Sequence, residues 1–204
     1  MIKLHLPTSD EEIRKLRVGD QVMLNGTMIT ARDAAHHYMV ETFIRQEVPD
    51  GERETYEKLK SVLSGSVIYH CGPVVKEEGG KYRFVAAGPT TSSREEPYEH
   101  LIIREFNVKG IIGKGGMGPK TLEACQKYSA VYFHAVGGAA TFTAQAVREV
   151  LDVYKLDLGV PEAMWVIRVE DFPVVVTMDA HGDSLHAKVA RESQDNLDDL
   201  LASF

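Results

Sequence analysis

Short apolar runs, each closed by a glycine or a polar cluster, alternate along this chain with segments whose apolar residues return every three or four positions. That alternation predicts strands followed by helices. Residues 20–26 read as a strand ending at Gly26, residues 31–45 as a helix, and residues 52–63 as a second helix capped by Gly65. Strand patterns at 67–71 and 82–87 flank the polar hinge Lys76-Glu77-Glu78-Gly79-Gly80, which predicts that the two form a hairpin. Runs at 108–112 and 130–133 alternate with helices beginning at Pro119 and near Thr141. Two more strands, 163–169 and 173–178, meet at a turn over Glu170-Asp171-Phe172. Residues 10–16 form a helical turn, and the polar tail 186–204 is a helix with Leu197, Leu200 and Leu201 as its apolar contacts. No repeat, low-complexity tract or linker interrupts this order. The expectation is one α/β domain over residues 1–204 with a mixed sheet.

Three of the predicted helix starts carry cations. Thr30 reads as an N-cap with Asp33 three residues on and Arg32 in the first turn; Ser92 and Ser93 each have a glutamate three residues on, Glu95 and Glu96, around Arg94. The third is Gly113-Lys114-Gly115-Gly116-Met117-Gly118, ahead of the helix at Pro119. An arginine at the positive end of a helix costs about a few tenths of a kcal/mol, and a bound anion reverses the sign. The competing reading sends both arginines into solvent or into pairs with Asp33 and Glu95. Gly113, Gly115 and Gly118 also match the spacing of a dinucleotide fingerprint, but that site needs an acidic residue about twenty positions on. No acidic residue stands between Tyr128 and Arg148. A phosphate loop fails too, because Gly115 follows Lys114 where Ser or Thr is required.

The strings Thr30-Ala31-Arg32-Asp33-Ala34-Ala35-His36, Gly72-Pro73-Val74, Gly88-Pro89-Thr90-Thr91-Ser92-Ser93-Arg94, Gly113-Lys114-Gly115-Gly116-Met117, Gly137-Gly138-Ala139-Ala140 and Asp179-Ala180-His181-Gly182 run in one order from about residue 17 to 185. In these strings the chain resembles the beta subunit of class I fumarate hydratase and L-tartrate dehydratase. The resemblance implies a single layered β/β/α swivelling-type domain and reversible hydration of a dicarboxylate, fumarate to L-malate first and L-tartrate to oxaloacetate next. It implies that Arg32 and Arg94 clamp substrate carboxylates, that Thr90 contacts substrate and relays a proton, and that Lys114 adds positive charge beside it. It further implies a 4Fe-4S cluster held by cysteines of a separate alpha subunit, with none bound by this chain, and an assembly that is a heterotetramer, or a homo-oligomer when the chain is isolated. One departure lies close to these residues: members usually carry Met directly after the arginine matched by Arg94, whereas Glu95 and Glu96 follow here. A free-standing anion-binding or regulatory module without catalysis is the alternative of a different class.

Composition narrows the partners. The 204 residues are 44% hydrophobic and 26% charged with a formal net charge of -7, which argues against nucleic acid or an anionic membrane surface as partner. An anionic small substrate needs only local positive charge. No apolar run approaches a membrane span, so the expected location is the cytoplasm. Cys71 and Cys125 are the only cysteines, with no metal or cluster spacing, and both read as buried thiols. None of the eight histidines shows a helical ligand pair with a carboxylate between, so no metal site is expected. His134 reads as a hydrogen-bonded core residue and His181 as a turn residue.

Overall fold

The computed structural model describes residues 1–203. In chain order it places β1 (Ile2–Leu6), α1 (Asp10–Lys15), β2 (Gln21–Thr30), α2 (Asp33–Phe43), α3 (Arg53–Leu63), β3 (Val67–Tyr69), β4 (Val74–Glu78) and β5 (Lys81–Ala86). There follow α4 (Glu96–Phe106), β6 (Gly110–Gly113), α5 (Pro119–Tyr128), β7 (Val131–His134), α6 (Ala140–Gln145), β8 (Val147–Tyr154), β9 (Met164–Met178) and α7 (Leu185–Ala202). The main sheet is mixed, in the order β1-β2-β3-β6-β7-β9-β8, and β2 also pairs with β9. That extra pairing closes β2, β3, β6, β7 and β9 into a ring. β2, β3, β6 and β7 run parallel, while β9 is antiparallel to β2 and β7.

Side chains that alternate along each strand feed two separate cores, as period-2 geometry requires. Val67, Tyr69, Ile112, Val131, Phe133, Trp165 and Ile167 enter one, and Ile68, Ile111, Tyr132 and Val166 enter the other with the apolar stripes of α2, α3, α4 and α5. Because both faces of β3, β6 and β7 are buried, these strands read as continuous apolar runs rather than as alternating ones.

Several sequence expectations are corrected here. The hairpin is β4 with β5, not 67–71 with 82–87; β3 instead lies in the main sheet between β2 and β6. β4 is exposed along most of its length, so its polar sequence hides its strand character. The strands expected at 163–169 and 173–178 are one strand, β9. The turn between them is a local kink at Asp171, with φ 50°, whose N–H donates to the Asn25 side chain at 3.0 Å. β1 and β8 were not legible. The tail is helical, but Leu197, Leu200 and Leu201 are exposed rather than packed, and Phe204 lies outside the described residues. No described helix is long and apolar enough to cross a membrane.

The caps differ as well. Thr30 ends β2, and its Oγ1 accepts from the Trp165 N–H at 3.2 Å; the N-cap of α2 is Arg32, without a side-chain cap bond. Neither Ser92 nor Ser93 caps α4. Glu96 reaches instead to the start of α5, accepting from the N–H groups of Gly118 at 2.7 Å and Lys120 at 3.0 Å and from the Thr121 hydroxyl at 2.7 Å. A carboxylate there meets unsatisfied donors and the positive end of the dipole. It also ties the glycine-rich loop that carries Lys114 to the helix that follows Arg94.

Candidate active site

Parallel strands end their chains of hydrogen bonds on one edge, and loops leaving that edge are where α/β folds place ligands. Arg32 follows β2, His70 to Gly72 follow β3, and Lys114 follows β6. The segment from Thr90 to Ser92 is laid between the last two. The Thr90 N–H donates to the His70 carbonyl at 2.7 Å, the Lys114 N–H to the Thr90 carbonyl at 3.1 Å, and the Ser92 N–H to the Lys114 carbonyl at 3.0 Å. Two short backbone bridges, Cys71 with Pro89 and Thr91 with Lys114, flank this insertion. Thr90 and Lys114 are therefore neighbours by main-chain pairing. The Thr90 hydroxyl donates to the same His70 carbonyl at 3.2 Å.

Arg32 and Arg94 are brought together by a shared anion. Asp33 Oδ2 lies 3.0 Å from Arg94 Nη2 and 3.9 Å from Arg32 Nη2, and Glu162 Oε1 lies 3.4 Å from Arg32 Nη2. Both arginines thus make the aspartate pairing that the competing reading foresaw, while the pairing with Glu95 does not occur. Arg32 is mostly buried, with its Nε lacking a partner, and Arg94 is half exposed. Gly72 passes so close to the Arg32 guanidinium that a Cβ there would collide with it. Among the described residues no carboxylate pairs with Lys114, whose stem runs beside Gly137 in the loop after β7.

Beneath these groups lies a sealed polar network that sequence reasoning missed. His36 Nδ1 is 2.8 Å from the Arg32 carbonyl, and His36 Nε2 is 2.9 Å from Glu99 Oε2. His70 Nε2 is 3.0 Å from that same oxygen, and its Nδ1 is 2.8 Å from Ser92 Oγ, which accepts from the Tyr132 hydroxyl at 2.9 Å. His36, His70 and Glu99 are fully buried. Burial works against a charged His36, but the Glu99 carboxylate outweighs it and raises His36 to about 9. Burial likewise opposes ionisation of Glu99, yet His36 and His70 hold it well below the usual carboxylate range. For His70, burial wins over Glu99 and lowers it. Glu95 is also buried, with both oxygens lacking partners, and burial raises it to about 7. A signal was available. Glu95 and Glu99 precede Ile102, Ile103 and Phe106 at helical spacing, which sets Glu99 on the buried face of α4 and Glu95 in line with it at the turn that opens the helix.

Of the other groups, His181 sits in a turn, as expected, and its Nε2 lies 2.9 Å from the Arg14 carbonyl. His134 ends β7 half buried, and its Nδ1 lacks a partner instead of being hydrogen-bonded. Cys71 and Cys125 are buried in different cores, and burial pushes the Cys71 thiol up to about 12. Two thiols so placed do not fit an iron-sulfur cluster, since cluster ligation needs several thiolates converging on one space.

Arg32 and Lys114 leave the carboxyl edge of parallel strands, and the segment carrying Thr90 and Arg94 is laid beside them by main-chain pairing, which makes this cationic edge of the α/β domain a candidate anion site. A family model described as "Fumarase C-terminus" matches residues 1–189, and the chain belongs to that family. It is 45% identical over 198 residues to a Geobacillus stearothermophilus protein named "Putative fumarate hydratase class I", a match covering 97% of this chain and 36% of that protein. It is 39% identical over 186 residues to the L(+)-tartrate dehydratase subunit beta of Escherichia coli K12, covering 91% of this chain and 86% of that subunit. The chain thus spans about a third of the first relative and most of the second.

Proposed function

We propose that this chain is the beta subunit of a heteromeric hydro-lyase, the half that binds the dicarboxylate, with fumarate and L-malate as first substrates and L-tartrate as second. The observation that carries this reading is the sharing of Asp33 by Arg32 and Arg94 beside Thr90 and Lys114, in a member of the fumarase C-terminus family. Two guanidiniums around one carboxylate form a binding site for a second anion that replaces the first. Each planar fork offers two parallel donors to a substrate carboxylate, which fixes orientation as well as charge. The Thr90 hydroxyl then handles the proton beside one carboxylate. A free hydroxyl is a weak base, and Lys114 and Arg94 are the cations that stabilise its alkoxide.

The relative from E. coli is named as a beta subunit, and the thiols of this chain do not suit a cluster. In keeping with the family resemblance, this reading assigns the 4Fe-4S cluster and the activation of the leaving hydroxyl to an alpha subunit, so that this polypeptide alone is half of an active site. The test is anaerobic coexpression with a cluster-bearing alpha subunit, followed by assays on fumarate, L-malate and L-tartrate. The pair turns over at least one of them and the isolated chain turns over none. Equal turnover by the metal-free chain refutes the division of labour, and copurification without any turnover favours a non-catalytic anion-binding module.

A further inference from the structure

With Glu99 ionised, as its two histidine partners hold it, hydrogen-bond bookkeeping places the protons of the buried network. The Arg32 carbonyl can only accept, so His36 Nδ1 carries a hydrogen; a Glu99 carboxylate can only accept, so His36 Nε2 carries one as well. His36 is then an imidazolium sealed inside the domain. Glu99 Oε2 takes a second N–H from His70 Nε2, which leaves His70 Nδ1 as the acceptor of the Ser92 hydroxyl, and Ser92 in turn accepts from Tyr132. The directed chain runs Tyr132 to Ser92 to His70 to Glu99, with His36 donating to Glu99 from the other side.

Two points of this network hold backbone that the proposed substrate site uses. One is the Arg32 carbonyl, at the residue that opens α2. The other is His70, whose own carbonyl takes both the N–H and the hydroxyl of Thr90. We propose that the His36–Glu99–His70 network is the positioning device of the dicarboxylate site, setting the spacing between Arg32 on one side and Thr90 on the other. The three residues touch no substrate and act through the two that do. This inference rests on the dicarboxylate reading above. His36 is faced by Glu99 from α4, by Glu95 from the turn before α4, by His70 from the end of β3, and by the Arg32 carbonyl at the start of its own helix, while Asp33 and Arg94 act on its neighbours His70 and Glu95. Removing its charge leaves Glu99 paired by His70 alone.

Two measurements test it. In the isolated chain with 15N-labelled histidine, His36 shows both ring nitrogens protonated at pH 7.5 and His70 only Nε2; in Glu99→Gln, His36 carries a single proton. A neutral His36 in the unaltered chain overturns the proposal. So does a shift of both rings on adding zinc, because that would make the group a metal site. In the reconstituted pair, KM for the dicarboxylate stays level up to about pH 9 and rises as His36 loses its proton. Glu99→Gln moves that rise down by about two pH units and raises KM about tenfold at pH 7.5. A Glu99→Gln enzyme with an unshifted KM profile reduces the network to a purely structural role and overturns the positioning claim. Should the ring signals appear as stated while the pair processes no dicarboxylate, the functional reading fails and the positioning role falls with it, but the charge assignment stands.

Discussion

The rim of the site and its floor both hold charges at close range, yet they are built on opposite principles. On the rim, Arg32, Arg94 and Asp33 keep contact with water, and one aspartate oxygen serves two guanidiniums. Water and ions screen such pairs, so each contributes little to stability and any anion of better shape can replace the aspartate. On the floor, His36 and Glu99 are wholly enclosed and their partners are fixed to single atoms. Every partner there is part of the fold, and losing one member strands the other in a low-dielectric interior. On the reading proposed above, the difference separates exchangeable charge, which would bind, from enclosed charge, which would shape the site.

The largest effect expected from breaking this contrast is Glu99→Ala, which leaves the His36 and His70 donors without an acceptor. It costs about 3 to 5 kcal/mol of folding stability, the range for removing one member of a buried pair, read as a lowered denaturant midpoint at pH 7. Arg94→Ala is the matched change on the rim. It costs well under about 1 kcal/mol of stability but about 3 kcal/mol in kcat/KM of the reconstituted pair, roughly a hundredfold. A stability loss at Arg94 comparable to that at Glu99 would erase the distinction, and an activity loss below about tenfold would remove Arg94 from the clamp.

Glu95 sharpens the comparison because it stands between rim and floor, next to Arg94 in sequence and buried without a hydrogen-bond partner. Its folded value is raised from the ordinary 4.5 to about 7, with burial as the main cause. The unfolded chain therefore ionises first. The stability due to neutral Glu95 is complete below about pH 4.5, is lost as pH rises from there to about 7, and stays constant above. The loss is about 3 kcal/mol. Glu95→Gln keeps the shape and removes the titration, so subtracting its stability curve from that of the unaltered chain isolates this fall. A flat difference between pH 4.5 and 7 means that Glu95 has found a partner.

How legible each region was in the sequence follows the same division. Arg32, Arg94 and Lys114 stand in polar turns after apolar runs, so local pattern drew attention to them as cations, while Thr90 was singled out among the neighbouring hydroxyls only by the family resemblance. The floor is assembled by long-range pairing: His36 meets Glu99 across 63 positions and His70 meets it across 29. No local periodicity encodes which helix face packs on which strand end, and each histidine by itself reads as an ordinary member of its element. The capping boxes failed for a related reason. Ser92 lies within reach of His70 and Tyr132, and those partners outcompeted the helix start. Glu96 found the more exposed donors of α5 instead. The ring of strands was hidden because the strand 20–26 continues to Thr30 and only its pairing with β9 closes the sheet.

The smallest effect concerns the anion that the rim already holds. Asp33 is the first residue of α2, where a negative charge is favoured by the helix dipole by about 0.3 to 1 kcal/mol. Its oxygen also occupies the space between the two guanidiniums. Asp33→Asn keeps the side-chain shape while removing both the dipole interaction and the competition with substrate. Stability should therefore fall slightly, while the dicarboxylate binds about two- to fivefold more tightly, an increment of about 0.4 to 1 kcal/mol. Added salt should narrow the gain, since chloride screens the freed cations in the variant as Asp33 does in the unaltered chain. The measurement is KM for the preferred dicarboxylate at low and high ionic strength in the reconstituted pair. Weaker binding in Asp33→Asn would show that the aspartate orients the arginines for substrate rather than standing in for it, and the rim would then be as prearranged as the floor.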